Sequence, residues 1–277
     1  MIANVLTTMT PILIAALGGL LSDQAGVLNI ALEGMMLFGA FFGAVFASAS
    51  GSVVVGVFFG AMAGAVAALV FTIAAMELRA NIFVVGLAIN LLAAGLIPIA
   101  SLGLFDTKGV VQFGSMPTTA SFLGVDGLTL FALILVPITV LVLTRTTFGL
   151  RLRAVGRNQE AVAVRGFRPQ LYRRMALLLS GVAAGAGGAA ISLRQGVYVP
   201  NITAGDGWIA LVCIYLGNRN PVGVLVAALV FAAAEDIAVA AQGYLEIPPT
   251  LLLGLPYFLT VLAMIGYSAI RAARAGR

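Results

Sequence analysis

Residues 34–76 read GMMLFGAFFGAVFASASGSVVVGVFFGAMAGAVAALVFTIAAM, with Glu33 before them and Glu77 after them. These 43 consecutive residues carry no charge. One bilayer crossing needs about 20 apolar residues as a helix, so the run is long enough for two. The small polar cluster Ser48-Ala49-Ser50-Gly51-Ser52 sits near its middle, and such a cluster reads as a turn. The stretch therefore predicts two membrane helices joined by a tight connection.

The same rule applies along the rest of the chain. Residues 1–22 are uncharged, and Val5–Leu21 is long enough to span. No basic segment precedes it, so it reads as a retained helix rather than a secretory signal. Residues 80–105, 127–144, 175–193 and 247–270 supply further spans. Between Arg194 and Glu246 the pattern breaks: Ile209–Gly217 is too short to cross alone, and Pro221 opens another apolar segment, Val222–Ala241. The expected fold is all-α, a polytopic transmembrane bundle of about eight or nine spans. All 277 residues form a single transmembrane domain, with one short or broken helix in the 200–221 region.

Composition agrees with this reading and removes alternatives. The chain is 61% hydrophobic and only 9% charged, with a mean hydropathy of +1.12; soluble domains are about 25% charged. It has no His and one Cys, Cys213. Zinc centres, His-based acid–base catalysis and structural disulfides thus lack their usual parts. The one Lys, Lys108, follows no glycine-rich loop, so the chain has no phosphate-binding loop of its own. No enzyme activity, metal or bound cofactor is expected of it, and any energy source must lie in a partner. The net charge of +5 forms no soluble basic face, so nucleic acid is not an expected partner.

The arginines orient the chain. Arg145, Arg151, Arg153, Arg157, Arg165, Arg168, Arg173 and Arg174 crowd the loop 145–174, opposed there only by Glu160, and the tail carries Arg271, Arg274 and Arg277. The positive-inside rule puts this loop and the C-terminus in the cytoplasm. An even number of crossings must separate them, so the short Ile209–Gly217 piece must cross as well, or a neighbour must re-enter. Five spans precede the loop. The N-terminus and the 105–127 loop are then expected outside.

Within the basic loop, Asn158–Gly166 reads as one short helix. Asn158 suits the N-cap and Glu160 the positive first turn; Arg165 suits the last turn and Gly166 the left-handed position beyond it. Pro169 is expected to prevent continuation. So short a helix is unstable alone in water. Its apolar face of Ala161, Val162 and Val164 is too small to bury well in lipid, which favours a protein partner over a headgroup-bound helix.

Five stretches resemble the permease subunits of ABC importers in the branched-chain amino acid, simple sugar and nucleoside group. They are similar above all to the shorter permease of bacterial nucleoside importers. The stretches are GVLNIALEGMMLFGA at 26–40, LRANIFVVGLAIN at 78–90, RAVGRNQEA at 153–161, GDGWIAL at 205–211 with GNRNPVG at 217–223, and LPYFL at 255–259. The resemblance implies half of a translocation pore in a bacterial-type inner membrane. It also implies a second, longer permease, two ATPase domains that hydrolyse ATP, and an external solute-binding protein. Asn158, Gln159, Glu160, Ala161, Val162 and Arg165 would then form the coupling helix seated in an ATPase groove. The family more often has Arg and Phe where this chain has Asp206 and Trp208, and an acid where it has Arg157.

Polar residues inside apolar runs are costly and therefore informative. Asn29 with Glu33-Gly34, and Asn201 with Asp206-Gly207, form similar polar openings in the two halves. Paired interruptions of this kind point to an internal inverted repeat with a site near the bilayer midplane. The candidate substrate pathway comprises Asn29, Glu33, Asn90, Asn201, Asp206, Trp208 and Tyr215. Each has a plainer reading. Glu33 could serve a helix N-terminus or pair with Arg79. Asn90 could make an interhelical hydrogen bond, worth about 0.6 kcal/mol on average. Trp208 and Tyr215 could stack on a flat base or simply sit at an interface. Phe83 is expected to be packing, and Glu235-Asp236 to face a partner or water. The glycines in Gly60-Ala-Met-Ala-Gly64 and Gly181-Val-Ala-Ala-Gly185 are expected at close helix contacts. A neutral nucleoside suits such a pore, since its hydroxyls and base edges need hydrogen bonds but no fixed cation. The competing function is an ion-coupled secondary transporter using Glu33, Asp206 or Glu235. A membrane-embedded enzyme would need a catalytic constellation, and no carboxylate pair is spaced for one.

Overall fold

The computed structural model describes residues 2–241 apart from 114–116, 118–120 and 123–124, so the 247–270 span, the LPYFL stretch and the arginine tail lie outside the described residues. Seven described helices are long and apolar enough to cross a membrane. They are α1 (Ile2–Gln24), α2 (Leu32–Ser50), α3 (Val53–Thr72), α4 (Ile82–Phe105), α5 (Gly127–Arg145), α8 (Pro169–Gln195) and α10 (Pro221–Ala241). Two short helices, α6 (Thr147–Arg157) and α7 (Gln159–Val164), occupy the basic loop, and α9 (Asp206–Leu216) precedes α10. The long uncharged run divides where expected: Gly51 takes the left-handed conformation at φ 66° and closes α2, and α3 begins two residues later. A π-helical turn, Ile73–Glu77, finishes α3.

Helix α8 is the central element, packed on α1, α2 and α3. Glycine explains how closely. A Cβ on Gly64 would strike the Gly181 carbonyl and Gly185, and one on Gly185 would strike the Gly60 carbonyl. The two glycine pairs seen in the sequence therefore face each other across the α3–α8 contact. Backbones approach this near only where neither side carries a side chain, and in lipid such packing is what holds helices together. The outer helices differ: α8 buries 78% of its spanning window, α4 only 28%. Phe83, expected to be packing, is in fact exposed on α4, as are Val84, Leu87 and Leu91. An apolar residue in a membrane helix loses nothing by facing lipid or a partner, so burial there cannot be inferred from hydrophobicity.

The bundle has two distinguishable ends. At one, Gly26 lies against Gly156 of α6, and Gln24 donates to the Arg219 carbonyl at 2.8 Å. Arg173 donates to the Gly26 carbonyl there at 3.5 Å. This is the arginine-rich end. At the other, β1 (Val111–Gln112) pairs antiparallel with β4 (Val197–Tyr198), and Arg194 donates to Thr8. A second short ribbon, β2 (Ser121–Phe122) with β3 (Val125–Asp126), precedes α5. Tyr198 is buried against Phe41, ring centroids 5.1 Å apart, and that burial pushes its hydroxyl pKa up to about 12. The first helix thus begins at the end opposite the arginine loop, and β1, which follows α4, lies at that same far end. Both placements match the five-span count. Glu235 and Asp236 are both half-buried, and Asp236 accepts from the Thr8 hydroxyl at 3.2 Å.

Candidate functional site

Two helices start inside the bundle instead of at its ends. Residues 25–31 carry the chain inward from the arginine-rich end to the start of α2, which then runs in the same direction as α8 toward the far end. Residues 199–205 carry it inward from the far end to the start of α9, which runs back until Arg219 meets Asp23 at 2.9 Å. With 11 residues and about 1.5 Å of rise each, α9 covers roughly half of a 30 Å hydrocarbon core. The short piece runs from the bundle interior to the arginine-rich end, and the irregular segment before it covers the distance from the far end. The two helices point in opposite directions, and their N-termini meet.

A helix that begins in a dry interior exposes backbone N–H groups that water cannot satisfy. Each of these two starts is served by a side chain from elsewhere. The Glu33 carboxylate, buried in the first turn of α2, accepts from the Gly207 amide at 2.7 Å, the Gly205 amide at 3.0 Å and the Thr203 hydroxyl at 2.5 Å. It faces the positive end of α9 as well as that of its own helix. Gly207 lets the helices approach, because a Cβ there would sit 2.5 Å from the Glu33 Cα. Asn90 on α4 does the same for α2: its Oδ1 accepts from the Gly34 amide at 2.8 Å, and its Nδ2 donates to the Ile30 carbonyl at 3.0 Å. Asn29 folds the connection, its Oδ1 accepting from the Ala31 amide at 3.1 Å while its Nδ2 donates to the Ser180 hydroxyl on α8 at 2.9 Å.

The sequence candidates thus separate into groups. Asn29, Glu33 and Asn90 come together, with their side chains engaged in holding the two helix starts. Glu33 is bonded to the α9 start rather than to Arg79. Asn201 is exposed at φ 58°, Asp206 is half-buried in the first turn of α9, and Trp208 is 40% exposed. Asp206 lies within electrostatic reach of Glu33, Glu235 and Arg194. Tyr215 is on the same face of α9 as Trp208 but seven residues further, about 10 Å along the axis. Its hydroxyl donates to Asp23 at 3.4 Å and its ring lies under Arg219. The two rings cannot enclose one base. Thr203 and Ser180 are partners that sequence reading missed. A lone hydroxyl in an apolar stretch gives no signal until the fold shows what it faces.

The basic loop holds one helix more than expected. Thr146 caps α6 by accepting from Gly149, and Gly149, Leu152 and Val155 are buried beneath it. The spacing of Phe148, Leu152 and Val155 was the available signal. Helix α7 begins as read, with Asn158 accepting from the Ala161 amide at 3.0 Å, and Gly166 follows at φ 81°. Its apolar residues do not share a face: Val162 is buried and Val164 is 89% exposed. Pro169 is not a stop but the first residue of α8, where its missing N–H is harmless.

Comparison with known proteins places this architecture. Residues 1–264 match the family model described as branched-chain amino acid transport system / permease component. The chain is 33% identical to the nucleoside ABC transporter permease protein NupC of Lactococcus lactis subsp. cremoris (strain MG1363), covering 95% of this chain and 90% of that one. It is 31% identical to the guanosine ABC transporter permease protein NupQ of Bacillus subtilis (strain 168), covering 93% and 88%. A solved inward-facing ABC transporter of metal-chelate type shares the fold, with a TM-score of 0.58 at 17% identity over 96% of this chain and 85% of that one. Together with the seven spans and the two inward-starting helices, the match over nearly the whole length makes the conclusion plain: this chain is a multi-pass membrane protein belonging to the branched-chain amino acid transport system permease family of ABC transporters.

Proposed function

We propose that the chain imports a nucleoside, forming half of a pore whose other half is a second permease and whose ATP is hydrolysed by partner ATPases. An external binding protein would deliver the solute. The observation that carries the substrate reading is the similarity to two nucleoside permeases over most of the chain. The geometry is compatible with a neutral solute. The buried carboxylate at the two helix starts, Glu33, is committed to the α9 N-terminus and would not be free to balance a charged cargo. The edge formed by exposed Asn201 and Trp208 with half-buried Asp206 offers hydrogen-bonding groups and one flat ring. These three would meet the solute, while Asn29, Glu33 and Asn90 hold that edge in place and Tyr215 lies near the exit.

The arginine-rich end would face the cytoplasm, by the positive-inside rule, and α7 would seat on the ATPase. Its base is tied inward: Arg173 donates to Gln159 and to the Gly26 carbonyl, and Gly156 packs on Gln24 and Gly26. A shift of α6 and α7 would therefore pull on residues 25–31, the start of α2, and through Glu33 the start of α9. Uptake of labelled guanosine and adenosine into proteoliposomes holding the assembled transporter tests this. ATP-dependent uptake, competed by nucleosides but not by leucine or ribose, is expected. Uptake driven by a sodium or proton gradient without ATP would overturn it in favour of an ion-coupled carrier.

A further inference from the structure

The arginine-rich end contains a groove of about 500 Å³ between α6, the inner side of α7 at Ala161 and Val162, and the turn leading into α8, lined by Leu150, Arg151, Arg153, Arg157, Arg165 and Phe167 among others. No carboxylate among the described residues lines it. Among the described residues, none of its four arginines makes an ion pair. Glu160, the one acid of the loop, lines the neighbouring cleft beside Gly26 and Arg173 instead. Arg151 is held in place, donating to the Tyr172 hydroxyl at 3.1 Å with its guanidinium 4.1 Å above the Phe167 ring. The Nε of Arg153 is buried without a hydrogen-bond partner. Four guanidinium groups around one cavity, with a donor unmet, fit an anion bearing several acceptor oxygens.

The surroundings identify which anion. Leu150 and Phe167 put exposed apolar surface on the groove's rim. Four residues beyond Phe167 a stripe begins on α8: Leu171, Met175, Leu179 and Val182 are all exposed, and their spacing places them on one helix face. The chain at the groove's rim thus leads, four residues past Phe167, into an apolar track along a membrane helix. We propose that it seats the phosphate of an anionic phospholipid, with an acyl chain lying along Leu171–Val182. Basic pockets between membrane helices hold anionic headgroups in this manner. A carboxylate-bearing ATPase surface is the competing occupant, but it would have no use for the apolar track.

The test is lipid retention by the assembled transporter, measured by native mass spectrometry after exchange into mixed phosphatidylglycerol–phosphatidylcholine micelles. Wild type is expected to keep phosphatidylglycerol over phosphatidylcholine. Arg153→Gln and Arg157→Gln should each weaken that preference about fivefold, whereas Arg79→Gln, an exposed arginine outside the groove, should leave it unchanged. Arg153→Lys, which keeps the charge, should retain at least part of it and separates charge loss from misfolding. Leu171→Ser with Met175→Ser should also lower retention, as an acyl track requires. Displacement of the lipid by millimolar inorganic phosphate or glycerol phosphate alone would overturn the lipid assignment in favour of a free-phosphate site. Unchanged lipid retention with lost ATPase co-purification in the arginine variants would overturn it in favour of protein docking. Neither result depends on which solute is carried.

Discussion

The Glu33 carboxylate on α2 accepts the backbone N–H of Gly207 on α9 at 2.7 Å, joining two helices that start inside the membrane and run in opposite directions. Hydrogen bonds to a charged group are worth about 1.5–3 kcal/mol each when buried. Glu33→Ala strands two amides and a hydroxyl. It should lower the unfolding free energy by about 3 kcal/mol, and Glu33→Gln by less, because one acceptor remains. Reversible SDS unfolding of the purified chain measures both. Equal stability of Glu33→Ala and wild type would refute the capping role.

Asn90 is expected to matter less. Asn90→Leu removes two hydrogen bonds to the α2 start, yet interhelical bonds in membranes average about 0.6 kcal/mol. The loss of an amide partner adds to that, giving a cost of roughly 1–2 kcal/mol. In the same unfolding assay its effect should fall below that of Glu33→Ala.

The glycine contacts predict a sharp positional contrast. Gly185→Val would drive a branched side chain into the Gly60 and Gly64 backbone, so it should abolish monodisperse protein on size exclusion. Gly95→Val, on a face of α4 where nothing among the described residues lies within 4 Å, should leave the chain folded.

At the arginine-rich end, Gly156→Val would press on the Gln24 carbonyl, loosening the tie between α6 and the segment before α2. Solute-stimulated ATPase activity should fall at least several-fold while ATPase subunits still co-purify. Val164→Asp alters an exposed residue of α7 and should leave the purified chain equally stable while weakening ATPase co-purification. An unchanged complex would argue that α7 is not the docking helix.

Arg219 pairs with the buried Asp23 at 2.9 Å. Removing one partner of such a pair leaves an uncompensated charge, which costs about 3–5 kcal/mol. Arg219 is half exposed, so water recovers part of this and Arg219→Ala should cost less than that range. Asp23→Asn with Arg219→Ala together should recover stability relative to Arg219→Ala alone.

Much of the architecture was legible in the sequence because lipid admits few solutions. A charge-free run of sufficient length must be a helix, and so residues 34–76 announced α2 and α3, and the arginines of 145–174 marked one end. The parity of crossings required either that the short α9 traverse the membrane or that a neighbour re-enter it. What the sequence left open was every question of facing. Glu33 could equally have met Arg79, a solute or its own helix; Phe83 was as hydrophobic as any core residue yet lies exposed; Val162 and Val164 look alike in sequence but point to opposite environments. Hydropathy reports the solvent a segment tolerates, not its neighbour. Only the tertiary structure decided that the polar openings at Asn29–Gly34 and Asn201–Gly207 are one junction. Two backbone N-termini cannot stay unsatisfied in a dry interior, and the nearest carboxylate and amide must serve them.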